Sequence, residues 1–170
     1  MRLLAILVVC GILLEPNARA QDAEPKPATK ISHFSGKPVP RFESLRFPAV
    51  HGRIGPSLDH PIAWKYEREG LPVLILKESR DWRFVRDPDG DEVWVHARML
   101  SAARTVLVKR EIQMKRDAGE GATSVALLKE GVLAELKACT GAWCEISADR
   151  LKGFVPRQWL WGSYADEAGL

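Results

Sequence analysis

The chain repeats one pattern of segments, and this repetition restricts the fold more than any other feature. The pattern is a tryptophan after a turn, a strand, a turn that contains glycine, and a second strand that ends in leucine. It occurs in SRDWRFVRDPDGDEVWVHARML at 79–100 and again in CTGAWCEISADRLKGFVPRQWLW at 139–161. Internal similarity over this length predicts two copies of one small unit rather than one larger sheet.

The turns and aromatic residues align the two copies. A Glu-Gly pair ends at Gly70 in the first copy and at Gly131 in the second, and a tryptophan, Trp82 or Trp143, follows 12 residues later. The second copy is then one residue shorter. The later matching pairs are therefore Trp94 with Phe154 and Leu100 with Leu160. This alignment predicts that both units have five strands in the same order.

Short apolar segments between turn residues indicate strands in both copies. At 87–90, for example, the Asp-Pro-Asp-Gly turn has a proline that presets φ and a glycine that accepts positive φ. No helix of ordinary length fits between such breakers. We therefore predict an all-β fold of two small β-barrels at 41–101 and 102–162, with a C-terminal tail at 163–170. A barrel of about 60 residues is close to the lower size limit for an independent core.

The first twenty residues have the features of an export signal. A basic start precedes an apolar run from Leu3 to Leu14 that is too short to cross a bilayer. An Ala-Arg-Ala motif then ends at Ala20, before a polar residue. These features predict a signal peptide at 1–20 that is cleaved after Ala20. The mature protein is expected to be secreted or periplasmic, without an integral membrane span.

Segment 21–40 differs in composition from the rest of the mature chain. It contains four prolines among Lys, Ala, Ser and Thr, with few bulky apolar residues. Such a segment buries too little apolar surface to offset the entropy lost on ordering. We therefore predict that it is a flexible leader.

The charge distribution does not favour a nucleic-acid-binding protein. The chain has a formal net charge of +3, and removing residues 1–20 takes away two arginines and one glutamate, which leaves +2. Basic and acidic residues are also interspersed along the chain. Since no field of a single sign dominates, we predict no nucleic-acid partner.

Cys139 and Cys144 are the cysteines that remain after signal removal, and they fit three kinds of chemistry. These are a disulfide, a thiol nucleophile with a histidine, and part of a metal site. Residues flanking a four-residue link on hairpin strands lie opposite each other at disulfide distance, and an exported protein meets an oxidising compartment. The four histidines stand singly, and none follows His96. We therefore predict a Cys139–Cys144 disulfide, with no metal site and no cofactor.

The carboxylates do not form a recognisable catalytic or calcium-binding pattern. Asp87, Asp89 and Asp91 alternate around Gly90, but a proline interrupts them and no glutamate follows at the twelfth position. Glycine-rich phosphate loops and Gly-x-Ser-x-Gly elbows are absent from the sequence. The sequence therefore favours a protein that is not an enzyme.

Several motifs resemble the exported bacterial SH3-like domain family. The motifs are Arg-Ile-Gly-Pro-Ser at 53–57, Gly-Leu-Pro-Val at 70–73, the cysteine pair with Trp143 between them, and Leu-Trp-Gly at 160–162. Gly-Phe-Val-Pro at 153–156 is also similar to the ending of eukaryotic SH3 domains, whose groove takes proline-rich peptides. The resemblance covers 41–162 and implies two tandem SH3-like barrels.

Two positions depart from the family pattern. Val93 stands where a glycine commonly precedes the aromatic residue. In the second unit, Met-Lys-Arg-Asp-Ala at 114–118 replaces the Arg-x-Gly-Pro-Ser loop. We therefore expect the second loop to differ in role from the first.

The resemblance implies a binding module of the cell envelope. Its expected partner is a peptidoglycan peptide or glycan, or an envelope protein, held in an aromatic-lined groove without catalysis. One alternative is a structural adaptor of a periplasmic enzyme complex. Another is a cell-wall hydrolase.

Six tryptophans exceed what two barrels of this size can bury, so several are expected to be at least partly exposed. The resemblance implies a groove in the first unit between the loop at 53–61 and the turn at 79–82. The predicted binding residues there are Arg53 and Asp59 for polar contacts and Tyr66, Trp82 and Trp94 for ring faces, with Trp82 as an exposed anchor. The second unit is expected either to support the first or to offer a different site around Phe154, Pro156 and Trp159.

Overall fold

The computed structural model describes residues 29–164 and residue 167. The predicted signal peptide, its cleavage site, the first part of the predicted leader and most of the predicted C-terminal tail lie outside these residues. Within the described part of the chain, no helix has the length and apolar character needed to cross a membrane.

The described residues form short strands and two single 3-10 turns. The strands are β1 (Lys30–Ile31), β2 (Pro38–Val39), β3 (Arg41–Leu45), β4 (Val50–Arg53), β5 (Ile62–Tyr66), β6 (Pro72–Ser79), β7 (Trp82–Arg86), β8 (Glu92–His96), β9 (Leu100–Ser101), β10 (Thr105–Val108), β11 (Ile112–Lys115), β12 (Ser124–Leu128), β13 (Leu133–Thr140), β14 (Trp143–Ala148), β15 (Leu151–Pro156) and β16 (Leu160–Trp161). The 3-10 turns are Ala97–Met99, after β8, and Arg157–Trp159, after β15. These turns are the only helical segments in the described residues, and the prediction of an all-β chain is confirmed.

Two antiparallel sheets of seven strands share one topology. Their strand orders are β5-β4-β8-β7-β6-β3-β9 and β12-β11-β15-β14-β13-β10-β16, so β3 to β9 correspond to β10 to β16. The predicted tandem repetition is confirmed. Each unit has seven strands rather than five, because the segments Val50–Arg53 and Leu100–Ser101 and their counterparts also pair. We call the unit of β3 to β9 domain 1 and the unit of β10 to β16 domain 2.

Each domain has its own apolar core. Buried residues alternate with more exposed ones along β8 and β14, as expected for a sheet with one buried face. The core of domain 1 contains Leu45, Val50, Tyr66, Val73, Ile75, Val85, Val93, Val95 and Leu100. The core of domain 2 contains Val106, Val108, Met114, Leu128, Ala134, Leu136, Cys139, Cys144, Ile146, Ala148, Val155 and Leu160. The two hydrophobic clusters share no residue.

Cys139 and Cys144 form the predicted disulfide. They pair in register on β13 and β14, with Cα atoms 4.0 Å apart. Both residues are buried in the core of domain 2. Because the two sulfur atoms are bonded to each other, neither cysteine is a thiol nucleophile or a metal ligand in this state.

Strand pairing establishes which residues of the two domains correspond. Arg53 of β4 pairs with Trp94 of β8, and Lys115 of β11 pairs with Phe154 of β15. The residues that immediately precede these four are Gly52, Val93, Met114 and Gly153. Gly52 therefore corresponds to Met114, and Val93 corresponds to Gly153.

The sizes of these facing residues are exchanged between the domains. A β-carbon placed on Gly52 would lie 2.7 Å from Cγ2 of Val93, and one placed on Gly153 would lie 2.7 Å from Cγ of Met114. In both domains one residue is glycine and the facing side chain fills the space. Val93 can therefore replace the family's glycine because Gly52 provides the room.

Part of the predicted flexible leader is folded. β1 and β2 pair as an antiparallel hairpin, and β2 lies against β6 of domain 1. The hydroxyl groups of Ser32 and Ser35 donate hydrogen bonds to the Glu78 carboxylate at 2.5 and 2.9 Å. The expectation of flexibility does not hold for residues 30–39. The buried Glu78 carboxylate accepts hydrogen bonds from this polar segment, and composition alone does not reveal them.

Glu78 links the N-terminal hairpin to domain 1. Its side chain has no exposed surface, and Oε1 lies 2.7 Å from Nη2 of Arg41 and 3.1 Å from Nε of Arg83. Burial alone would raise the pKa of this carboxyl. The hydrogen bonds from Ser32, Ser35 and Arg41, together with the charge of Arg41, instead lower the pKa below its usual range. The carboxylate is therefore the charged centre of the hairpin attachment.

Domain 1 contacts domain 2 where β3 and the start of β6 meet β10 and β16. The Trp161 indole N–H donates a hydrogen bond to the Pro72 carbonyl oxygen at 3.1 Å, and its ring lies edge-on to Phe42 with centroids 5.4 Å apart. The hydroxyl groups of Ser44 and Thr105 are 2.6 Å apart and share a hydrogen bond. Both apolar and polar contacts therefore join the two domains.

Candidate functional site

An open cleft of about 400 Å³ lies on domain 2. Its lining includes three ring residues and four charged residues, which are Trp143, Pro156, Trp159, Arg110, Glu111, Lys115 and Glu120. We call it the domain 2 cleft. The lining is half apolar and half polar, and ring faces beside convergent polar groups can both hold and orient a ligand.

The ring residues of the cleft come from the ends of two paired strands and the turn that follows them. Trp143 begins β14, Pro156 ends β15, and the two residues pair in register. Trp159 lies in the 3-10 turn after β15, and the first amide of that turn donates to the Ala142 carbonyl at 2.8 Å. All three ring residues are half-buried. Each is therefore held by the domain while keeping some exposed surface.

A stacked cation lies at the edge of the ring group. The guanidinium carbon of Arg110 is 4.2 Å from the Trp159 ring centroid, within the range of a cation–π interaction. The neighbouring Glu111 forms an ion pair with Lys129. The cleft thus offers ring faces together with a cation held in place by one of them.

The corresponding position in domain 1 is closed. Trp82 pairs with His96 as Trp143 pairs with Pro156, and the Trp82 and His96 rings lie edge-on with centroids 5.3 Å apart. Trp82 is only 8 % exposed. The prediction that Trp82 is an exposed anchor is therefore wrong, because its ring packs within the domain and leaves little surface for a ligand.

Arg53 organises the long loop of domain 1. Its guanidinium donates hydrogen bonds to the carbonyl oxygens of Leu58 and His60 at 3.1 and 2.6 Å. Asp59, also predicted to bind ligand, is exposed beside them. The family-like motif at 53–57 thus has a structural role, since the Arg53 side chain already bonds the loop that it belongs to.

Tyr66 is bonded inside domain 1. Its hydroxyl donates a hydrogen bond to Oδ2 of Asp87 at 3.1 Å, and the residue is 8 % exposed. Burial raises the Tyr66 pKa well above its usual value. Asp87 also accepts hydrogen bonds from the Asp89 and Asp91 amides, both at 3.0 Å. The tyrosine ring is therefore not an exposed ligand face, and this aspartate stabilises a backbone turn.

Trp94 is half-buried on the outer side of domain 1. Its ring lies 5.2 Å from that of Phe84, and the Lys77 ammonium is 4.3 Å from the Phe84 centroid. Trp94 pairs with Arg53 in the sheet, but Trp159 belongs to the other domain. Because Tyr66 and Trp82 are buried, the residues predicted for domain 1 do not form one exposed aromatic groove.

Sequence reasoning missed the charged residues of the domain 2 cleft. Lys115 belongs to the segment 114–118 that replaces the Arg-x-Gly-Pro-Ser loop, and Arg110 lies just before that segment. The approach of Arg110 to Trp159 joins residues that are far apart in sequence, and strand patterns alone do not reveal it. A comparison of charge between matched positions of the two copies would have identified Arg110.

No group of three or more His, Cys, Asp or Glu side chains is placed to hold a metal ion among residues 29–164 and 167.

Comparison with known proteins identifies the family. A family model described as bacterial SH3 domain matches residues 49–102 and 108–162. Two solved structures with similarity to the chain are NlpC2 and NlpC1 from Trichomonas vaginalis, with sequence identities of 12 % and 14 % and a TM-score of 0.34 each. The alignments cover 74 % and 76 % of this chain but only 49 % and 48 % of those chains, about half of their length. A search of curated proteins found no match.

The two family matches fall on the two sheets and together cover more than half of the chain. The resemblance seen in the sequence is thereby confirmed at the level of the family and its tandem arrangement. The protein belongs to the bacterial SH3 domain family and carries two copies of the domain in tandem.

Proposed function

We propose that the protein is a non-catalytic binding module of the cell envelope and that its ligand site is the domain 2 cleft. The observation that carries this proposal is the convergence of Trp143, Pro156 and Trp159 on one open cleft. Half-buried rings fixed by strand ends form a preorganised surface, so little entropy is lost when a ligand binds.

The proposed ligand is a peptide, with a peptidoglycan stem peptide as the first candidate. An open cleft that combines ring faces with a few polar groups suits an extended chain, and SH3 domains bind peptides through aromatic-lined grooves. The export features of the sequence favour a ligand in the envelope. A peptide of an envelope protein is the other outcome that the binding experiment distinguishes.

The site is assigned to domain 2 because the matching positions of domain 1 already bond within the domain. Trp82 packs against His96, and the Arg53 guanidinium bonds the carbonyl groups of its own loop. Trp143 and Trp159 remain half-buried with surface to offer. Domain 1 then supports domain 2 through their shared contacts, while Asp59 and Trp94 stay available for a secondary contact.

A structural adaptor is the second candidate function. Ile54 and Leu58 are 63 % and 73 % exposed on the loop that Arg53 stabilises. Large aliphatic side chains on an ordered loop favour contact with a partner protein. In that case domain 1 would hold an envelope protein, and the domain 2 cleft would be dispensable for the contact.

The experiment is a binding assay with soluble muropeptides from digested cell wall and, separately, with an envelope protein extract. Trp159→Ala is expected to weaken muropeptide binding by about 1 to 3 kcal/mol, as loss of an aromatic anchor does. Leu151→Ala is the matched control, because Leu151 is an exposed apolar residue of domain 2 that does not line the cleft. Thermal melting of both variants checks that the fold is intact.

The same assay separates the functional classes. Equal muropeptide binding by wild type and Trp159→Ala would place the site elsewhere. Binding of an envelope protein that Leu58→Asp abolishes and Trp159→Ala does not would support the adaptor. Turnover of the muropeptides, lost on a single substitution that leaves the fold intact, would show that the protein is an enzyme.

A further inference from the structure

The two cations that line the domain 2 cleft lack an acidic partner in the described residues. Arg110 stacks on Trp159 and forms no ion pair in residues 29–164 and 167. The Lys115 ammonium bonds two neutral groups, Oε1 of Gln113 at 3.0 Å and Oγ of Ser124 at 3.1 Å. Neither positive charge therefore forms an ion pair within this part of the chain.

The acidic residues of the cleft do not balance these charges. Glu111 is already paired with Lys129. Glu120 remains as the other carboxylate of the lining. With two unpaired cations and one unpaired anion, the cleft favours a ligand that brings a negative charge.

The Arg110–Trp159 pair has no counterpart at the matching positions of domain 1. The Arg46 amide donates to the Met99 carbonyl at 2.8 Å, and the Lys109 amide donates to the Trp159 carbonyl at 2.9 Å, so these backbone positions correspond. The residue that follows is Phe47 in domain 1 and Arg110 in domain 2. The same framework thus carries an apolar pair of residues, Phe47 and Met99, in one domain and an arginine with a tryptophan in the other.

We infer that the domain 2 cleft binds a peptide carboxylate, held by Arg110 over the Trp159 ring, with Lys115 as a second cation. The inference rests on the proposed function and names the ligand group that the same site selects. The carboxylate belongs to a chain that also presents an apolar group to Trp143 and Pro156.

An arginine that stacks on an aromatic ring is well suited to bind a carboxylate. A guanidinium uses the face of its plane against an aromatic ring and keeps N–H groups at its edge for acceptors. A carboxylate matches two such donors at once. Because the ring already restricts the side chain, less conformational freedom is lost when the anion binds.

The test uses two small probes that differ only in the charged group, N-acetylproline and N-acetylprolinamide. Each is titrated into the full-length mature protein while NMR follows the indole N–H signals of Trp143 and Trp159. We expect the carboxylate probe to bind about fivefold more tightly than the amide, the size of a partly solvated ion pair. The preference should decrease when salt is added.

Three variants test which side chain produces the preference for the carboxylate probe. Arg110→Gln should remove it, and Arg110→Lys should retain part of it, since the charge remains but the planar donor set is lost. Lys109→Gln is the matched control, because it removes the same charge from an exposed neighbour that does not line the cleft. Backbone amide spectra verify that the variants are folded.

The outcomes separate this inference from the proposed function. Equal affinity for the two probes, or an unchanged preference in Arg110→Gln, overturns the carboxylate inference and leaves a peptide site in the cleft. If neither probe shifts either indole signal, the carboxylate inference and the proposed peptide site in the cleft are both overturned.

Competition then identifies the source of the carboxylate. Soluble muropeptides that displace N-acetylproline from wild type support a wall stem peptide. An N-acetylproline preference that muropeptides do not disturb supports a carboxylate of a protein partner.

Discussion

Val93 of β8 fills the space above Gly52 of β4 so closely that a β-carbon on Gly52 would lie 2.7 Å from Cγ2 of Val93. Domain 2 has the reverse arrangement, with Met114 above Gly153. The same contact between two strands is therefore filled from opposite sides in the two domains. Such an exchange preserves the packing of each core while changing both residues.

Gly52→Ala is expected to destabilise domain 1 by about 1 to 3 kcal/mol, because the added methyl group overpacks a filled core. Val93→Ala in the same chain should restore part of that loss by removing the methyl groups that the new β-carbon meets. Urea denaturation of the two single variants and the double variant measures the coupling. Gly121→Ala is the control, since nothing lies within 4 Å of its added β-carbon. Additive effects of the two changes would contradict the size exchange.

The contact between Trp161 and Pro72 leads to a prediction about cooperativity. Trp161→Phe removes the indole donor but keeps an aromatic ring beside Phe42, and we expect a loss of about 1 kcal/mol, as for one hydrogen bond. Phe42→Ala instead removes the ring that Trp161 packs against, and we expect the two domains of this variant to unfold at different temperatures. Differential scanning calorimetry should show one transition for wild type and two for Phe42→Ala. Two independent transitions in wild type would refute the coupling.

The Cys139–Cys144 disulfide leads to a prediction about amide exchange after reduction. Closing a ring as short as Cys139 to Cys144 contributes about 2 kcal/mol in the loop-entropy account. Reduction removes this constraint from local opening of the β13–β14 hairpin, so amide hydrogen exchange should accelerate in β13 and β14 more than in the matching strands β6 and β7. A Cys139→Ser, Cys144→Ser double variant should show the same pattern without reductant. Equal acceleration in both domains would contradict a local role.

Acid should release the N-terminal hairpin from domain 1. The pKa of Glu78 is lowered in the folded protein, so its contribution is complete above the usual carboxyl range and is lost as pH falls through the lowered folded-state pKa. Protonation removes the charge that faces Arg41 and Arg83 and weakens the bonds from Ser32 and Ser35. NMR signals of the Ser32 and Ser35 amides, followed against pH, should report the release.

Glu78→Gln should loosen the hairpin at neutral pH, at a cost of about 2 kcal/mol for lost charge-assisted hydrogen bonds. Glu92→Gln is the matched control, because Glu92 pairs with Arg86 on the outer surface of domain 1. A hairpin that remains ordered in Glu78→Gln at all pH values would show that other contacts attach it.

The sequence predicted features that are encoded locally or by repetition. Turn residues, short apolar segments and the copied order of tryptophans led to an all-β chain of two units, and the spacing of Cys139 and Cys144 led to their disulfide. These predictions succeeded because strand period and turn chemistry depend on residues close together in the chain. The prediction of a flexible leader was wrong at 30–39, because the Glu78 carboxylate, distant in sequence, accepts hydrogen bonds from Ser32 and Ser35.

The tertiary structure decided which side chains remain available for a ligand. Sequence alone determined that this protein has two repeated β units, six tryptophans and a cysteine pair placed for a disulfide, since these follow from local patterns. It did not determine that Trp82 is buried against His96 while Trp159 remains half-buried beneath Arg110. Burial and charge pairing depend on residues far apart in sequence that meet only when the strands pair, so matched positions in the two domains acquire different roles.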